Sequence, residues 1–294
     1  DLVLQHKNQN IKQKNYTKKI DQVSKKNNIE LSNEQLEAIK TCLNNGISII
    51  TGGPGTGKST IVKCIIDILE DMQKDYVLCA PTGRAAKRLT QTTGKEAKTL
   101  HRLMEITKID DNDIDTIYQM PVSNVDTDVI IVDEASMIDT MMMNNLLKAI
   151  CANTQVILVG DVDQLPSVGP GSVLKDIILS GGVPTIYLKQ IYRQSAMSDI
   201  VLNAHRVNAG KYPEFKNKDT DLFFVKTNNV EDTISQISSL LSYRLKNFAD
   251  LDVMKDLQVL TPMKKTELGV VELNSKIQAI LNPEQLDKLQ VEYN

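Results

Sequence analysis

Residues 50–60 read ITGGPGTGKST, a glycine-rich loop that ends in Lys-Ser. The stretch Gly52 to Ser59 matches the full spacing of a phosphate-binding P-loop. Its glycines let successive backbone N–H groups curl around a phosphate with no Cβ in the way. A helix beginning directly after the loop adds the partial positive charge of its N-terminus. Gly53, Pro54, Gly55, Thr56, Gly57 and Thr60 are then expected to hold the nucleotide, ATP. Lys58 can reach the β- and γ-phosphates, and Ser59 can ligate Mg²⁺.

Three further stretches carry groups suited to the same chemistry. VIIVDEAS (129–136) is a buried-type strand that ends in paired carboxylates. Asp133 is placed to orient Mg²⁺ and Glu134 to act as general base on the attacking water. In VGDVDQLPSVG (159–169), Gln164 is uncharged and can sense a γ-phosphate by hydrogen bonding. Asp161 and Asp163 fit equally a turn before Pro166. IYRQ (191–194) offers Arg193, suited either to the charge that grows on a departing phosphoryl group or to a surface ion pair. Gln35 is ambiguous as well. SNEQ (32–35) is a capping-box pattern that bonds Gln35 back to Ser32, and an adenine edge would compete for the same side chain.

These residues need elements to position them. Leu36, Ile39 and Leu43 recur at helical spacing, with Ser32 as N-cap and Gly46 as the stop. ISII (47–50) reads as the strand that feeds the loop, and Ile61, Val62, Ile65, Leu69 and Met72 share one face of the helix that follows. YVLCA (76–80), VIIV (129–132), VILVG (156–160) and TIYL (185–188) are short apolar runs, with helix-like segments at 83–91, 137–151 and 172–180. Such alternation predicts an α/β fold: a parallel sheet covered by helices on both faces. Binding groups then gather at the carboxyl ends of the strands. A second unit is expected from about residue 196, with strands at 222–225 and 257–262 and a helix near 231–248.

Composition narrows the class. Hydrophobic residues make up 41% and charged residues 24%, as in ordinary globular proteins. No run approaches the ~20 apolar residues of a membrane span, and no signal peptide opens the chain, so the expected setting is cytoplasmic with no membrane partner. The net charge of −3 excludes a globally basic nucleic-acid binder but not a local basic groove. Residues 1–30 carry net +4 and read as a solvated helix or linker; the remainder carries −7. Cys42, Cys64, Cys79 and Cys151 lack metal-type spacing and read as reduced, buried thiols. DDNDID within 105–127 has no glycine or closing glutamate of a calcium loop and reads as solvated surface.

Taken in order, LSNEQLEAI, GGPGTGKST, APTGRAAKRL, KTLHRL, VDEASMID, GDVDQLPSVGPGSVL, YRQ, AHRVNAG and LTPMKK…LGVVELN…LNP resemble a superfamily 1 DNA helicase of the RecD/TraA type, the type that includes the exodeoxyribonuclease V alpha subunit. The resemblance spans roughly residues 31 to 283. DEAS with GDVDQLPSV separates it from DEAD-box proteins, kinases and GTPases. It implies a first RecA-like ATPase lobe over 31–195, part of a second over 196–294, and an N-terminal linker or remnant helix before them. Gln35 would read adenine. Lys58, Ser59, Asp133, Glu134, Gln164 and Arg193 would form the hydrolysis set, with Arg193 on the γ-phosphate at the junction of the lobes. Single-stranded DNA would contact Pro81, Thr82, Gly83 and Arg84, then Thr99 and His101, then Thr261, Pro262, Met263 and Lys264 in the second lobe. Arg84, Lys87 and Arg88 fit a solvated helical face as well. Aromatic residues are only 4%, so backbone contacts should dominate strand binding over base stacking.

The resemblance further implies 5′-to-3′ movement, a duplex-splitting hairpin within 105–127, and partners in recombination or repair. The family's later motifs, an HxxQG type and a TRA arginine, are expected beyond residue 294. The chain opens on Asp1 rather than methionine, so it reads as a segment of something longer, able to bind ATP·Mg²⁺ with little or no unwinding. Two rival readings share the same loop: an RNA helicase or nucleic-acid-stimulated ATPase, and a non-catalytic subunit of a recombination nuclease complex.

Overall fold

The computed structural model describes residues 14–106, 122–190, 198–216, 218–248 and 251–283. The chain divides into two compact units, Asp1–Leu222 and Phe223–Asn294.

In chain order the first unit holds α1 (Thr17–Lys26), α2 (Asn33–Asn44), β1 (Ile47–Gly52), α3 (Lys58–Asp71), β2 (Tyr76–Ala80), α4 (Gly83–Thr93), β3 (Ala97–Thr99), α5 (Leu100–Leu103), β4 (Val129–Val132), α6 (Thr140–Ala149), β5 (Gln155–Gly160), α7 (Val173–Leu179), β6 (Thr185–Leu188) and α8 (Asp199–Asn208). The six strands form one sheet in the order β3-β2-β4-β5-β1-β6, and every pairing is parallel. All six carboxyl ends therefore open on one edge.

The expected two-sided sheet is what forms, and the strand period of two explains it. Ile50, Leu78, Val129, Ile131, Ile157 and Val159 enter one core cluster, shared with α1, α2 and α3. Ile47, Ile49, Cys79, Ile130, Val132, Val156 and Leu158 enter the cluster on the opposite face, shared with α6 and α7. Ile130 is fully buried in the middle of this second cluster. Ile130→Ala should cost about 2–5 kcal/mol by lost burial and the cavity left behind. Ile200→Ala, on an exposed side chain of α8, should stay within about 0.5 kcal/mol. Urea unfolding midpoints of the two variants check the contrast.

Three expectations are corrected, and one segment forms elements that its pattern leaves open. The lysine-rich start is not solvated all round: α1 buries Ile20 and Val23, with Tyr16 ahead of it, in the first core cluster. Cys42, Cys64 and Cys79 are buried as expected, but Cys151, just past α6, is exposed. Burial pushes the Cys42 thiol up to about 12 and the Cys64 thiol up to about 11. The segment KTLHRL has no clear period, yet it contributes to edge strand β3 and forms the short helix α5.

The third correction concerns the second unit, whose described elements are α9 (Val230–Ser239), a π-helical turn (Leu240–Arg244), α10 (Leu245–Phe248) and α11 (Val270–Leu281). Neither 222–225 nor 257–262 forms a strand. Phe223, Phe224 and Leu260 are exposed. An apolar run needs a neighbouring strand to become part of a ladder, and the described residues of this unit supply none. The inserted hairpin proposed for 105–127 falls largely on residues 107–121, outside the described residues.

Candidate functional site

The glycine loop runs from β1 to α3. At Gly52 the backbone passes so close to β6 that an added Cβ would lie 2.7 Å from the Leu188 carbonyl oxygen. Gly57 caps α3 with φ of 85°, a left-handed conformation that costs any residue with a Cβ. The Thr56 hydroxyl donates to the Gly53 carbonyl at 2.8 Å and closes the loop on itself. Lys58 Nζ donates to the carbonyl oxygens of Gly52 at 2.5 Å and Gly53 at 3.0 Å. Burial pulls the Lys58 ammonium below its ordinary range, and the nearby carboxylates of Asp161, Glu134 and Asp133 oppose that pull.

Because the sheet is parallel, the next two groups arrive on the same rim. The Asp133 N–H donates to the Cys79 carbonyl at 2.9 Å, which extends the β2–β4 ladder one residue past β4. Its Oδ1 accepts the Glu134 N–H at 3.0 Å. Glu134 then adopts φ of 53° and ψ of 40°, a left-handed turn uncommon for glutamate. Such outliers concentrate at functional sites. Burial raises both carboxyl groups above the usual carboxylate range, and for Glu134 the Asp133 charge raises it further.

After β5 the chain turns sharply. Thr51 Oγ1 of β1 accepts the Val162 N–H at 3.1 Å, tying this turn to the strand that leads into the loop. Asp161 is buried, and its Oδ1 accepts the Asp163 N–H at 3.0 Å. Asp161 thus caps the turn, and Gln164 follows it into the lining of the cleft.

These groups meet in one cleft of about 390 Å³, lined by residues 53–60 together with Asp133, Glu134 and Gln164. Arg88, Leu89 and Thr92 of α4 complete its wall, and these three were not placed there by sequence. Ser59 and Asp133, the residues expected to hold a metal, both line this cleft. They fit Mg²⁺, which is commonly held by one or two protein oxygens plus substrate phosphates. A further contact comes from α8: an added Cβ at Gly53 would lie 3.0 Å from His205 Cε1, so the imidazole packs on the loop itself. The quoted AHRVNAG motif contains that histidine without revealing where it points.

Two expected members stand elsewhere. Gln35 is buried in the capping box of α2: its Oε1 accepts the Ser32 N–H at 3.0 Å, and its own N–H donates to Ser32 Oγ at 3.3 Å. It does not line the cleft. Arg193 lies outside the described residues. The chain leading toward it is anchored, since Glu34 Oε2 accepts the N–H groups of Lys189 at 2.9 Å and Gln190 at 3.3 Å.

The first-unit residues expected to contact a DNA strand are brought side by side. Ala80 pairs with Thr99 across β2 and β3, so Pro81–Arg84 and Thr99–His101 leave the same rim as neighbours. Thr82 Oγ1 accepts the Ala85 N–H at 3.2 Å and Thr99 Oγ1 accepts the Arg102 N–H at 3.2 Å, so each threonine caps the helix that follows. Gly83, Arg84 and His101 are exposed. In the second unit, Thr261 Oγ1 donates to the Leu268 carbonyl at 2.7 Å, and the Val270 N–H donates to the Met263 carbonyl at 3.0 Å. Thr261, Pro262, Met263 and Lys264 therefore lie in an irregular segment bonded to the start of α11, not at the expected end of a strand.

A phosphate loop after one parallel strand and a carboxylate pair after another define a P-loop nucleotide-binding domain. Residues 35–170 match a family described as AAA domain. The chain is a homologue of the RecD helicases. It is 36% identical over 261 residues to the ATP-dependent RecD2 DNA helicase of Deinococcus radiodurans, covering 89% of this chain and 34% of that protein. It is 37% identical over 169 residues to the RecBCD enzyme subunit RecD of Mycolicibacterium smegmatis, covering 49% of this chain and 30% of that protein. The chain thus spans about a third of the length of these relatives. Among solved structures, Pif1 helicase from Candida albicans is similar with a TM-score of 0.48 and 24% identity, covering 75% of this chain and 55% of that chain.

Proposed function

We propose that this chain is the ATP-hydrolysing core of a DNA helicase or translocase that works on a single strand. The observation that carries the reading is the shared rim: the cleft of residues 53–60, Asp133, Glu134 and Gln164 opens on the same sheet edge as Pro81–Arg84 and Thr99–His101. In this reading Lys58 and the loop N–H groups bind the β- and γ-phosphates. Glu134 takes the proton of the attacking water, and Gln164 hydrogen-bonds the γ-phosphate. Ser59 and Asp133 would hold Mg²⁺, which supplies charge neutralisation at the phosphates when bound.

Resemblance supports three finer points: Arg193 as a γ-phosphate contact, residues 196–294 as part of a second RecA-like lobe, and 5′-to-3′ movement. Resemblance is also the support for placing Gln35 on adenine. That role requires its Oε1 to leave Ser32 or its amide N–H₂ to do the reading. No helix among the described residues is long and apolar enough to cross a membrane. The RecD relative is named as a subunit of the RecBCD enzyme, and a recombination or repair complex is the proposed setting here too.

ATP turnover should rise on adding single-stranded DNA and rise less with RNA of the same length. Strand affinity should fall steeply with salt, because Arg84 and the capped threonine loops address phosphates rather than bases. Steady-state phosphate release and fluorescence titrations at several salt concentrations check both. Turnover indifferent to any strand, or a flat salt slope, would overturn the proposal.

A further inference from the structure

Helix α4 begins at the strand-contact loop, yet its middle forms a wall of the nucleotide cleft. Ala86, Leu89 and Thr93 are buried and seat the helix on the core. Thr90 Oγ1 donates to the Ala86 carbonyl at 3.0 Å and accepts the Ala97 N–H at 3.0 Å, which ties α4 to β3. With the helix fixed, residues 88, 89 and 92 share the face turned to the P-loop, one helical turn from first to last. Leu89 and Thr92 bring no charge. Arg88 does, and its guanidinium makes no ion pair and no side-chain hydrogen bond among the described residues.

Arg88 lines the same cleft as Lys58, Asp133 and Glu134. The γ-phosphate meets that part of the cleft when Lys58 and the loop hold the β-phosphate. A guanidinium presents five donors in a planar fork and suits a terminal phosphoryl group with three oxygens. Lys87, one residue earlier, is exposed and does not line the cleft.

We infer that Arg88 is a γ-phosphate-contacting residue supplied from within the first unit, distinct from Arg193. The inference rests on the proposed ATP site and adds to it a device for telling triphosphate from diphosphate. A cation at the γ-phosphate strengthens ATP binding selectively and stabilises the charge that develops as that phosphate leaves.

The test compares Arg88→Gln, Arg88→Lys and Lys87→Gln with the parent chain, using fluorescent ADP and a fluorescent non-hydrolysable ATP analogue. Arg88→Gln should weaken the triphosphate analogue about tenfold, the effect of losing one charge-assisted contact. ADP affinity should change less than about twofold. Arg88→Lys should recover part of the loss, and Lys87→Gln should leave both affinities unchanged. Equal weakening of both nucleotides would overturn the inference. So would unchanged nucleotide affinities accompanied by a fall in single-stranded DNA affinity, since Arg88 would then be a strand contact. Arg88 is exposed, so circular dichroism should show all variants folded. If the parent chain discriminates through Arg88 but no strand stimulates turnover, the helicase reading fails and this inference stands.

Discussion

Lys58→Ala is expected to lower ATP turnover by about 10²–10³, the cost of removing one preorganised donor at developing charge. The expected size follows from where Nζ sits. The side chain runs back from the first turn of α3, is half-buried, and holds the carbonyl oxygens of Gly52 and Gly53. Its position is therefore set by the loop before any phosphate arrives, and little reorganisation is needed at the moment of reaction. Burial already disfavours the ammonium form, so alanine removes an electrostatically costly group and should not lower folding stability through charge. Phosphate release under saturating ATP, read beside a thermal melt, separates catalysis from folding. Turnover within about threefold of the parent would remove Lys58 from the mechanism.

Glu134→Gln should abolish hydrolysis to a similar or larger degree, about 10²–10⁴, while leaving triphosphate binding intact. A general base must have a proton affinity suited to its task. Burial, and then the Asp133 charge beside it, lift the Glu134 carboxyl above its ordinary range. A lifted carboxyl is a stronger base once ionised. The sign for stability runs the opposite way. A group whose folded pKa is raised stabilises the chain below its unfolded pKa, and this contribution is lost as pH rises through the folded value. At neutral pH an ionised Glu134 is thus a burden on the fold, and the neutral isostere should melt no lower than the parent. A variant that binds ATP, melts at the same or higher temperature and fails to turn over is the expected outcome. Parental turnover in a single-turnover assay would assign the base elsewhere.

The parts of this site most readable from sequence are those in which backbone chemistry forces residue choice. A loop that presents N–H groups at close range needs glycine, and Gly52 and Gly57 meet that need for two different reasons, close approach and left-handed φ. The Ser32–Gln35 capping box was equally legible, because its spacing has a local cause, and it forms as written. An adenine role for Gln35 rests on resemblance alone and would compete with this local bond.

What stayed hidden depended on packing between distant segments. Arg84, Lys87 and Arg88 share one helix, and periodicity marks them all as surface. Only the seating of α4 against the core decides that residue 88 turns to the P-loop and residue 87 does not. The same limit applies at the start of the chain, where seven lysines obscured an apolar pair three residues apart, Ile20 and Val23. Phe223 and Phe224 show the converse, a β-like composition for which the described residues offer no adjoining ladder.

Of the four thiols, Cys42, Cys64 and Cys79 are sealed within the first unit, whereas Cys151 faces solvent at the amino end of β5. That location is the far edge of the sheet, about 20 Å of strand away from the rim that gathers the phosphate loop. A maleimide dye should consequently attach at a single place without engineering. It would give a fluorescent reporter whose attachment leaves the chemistry undisturbed.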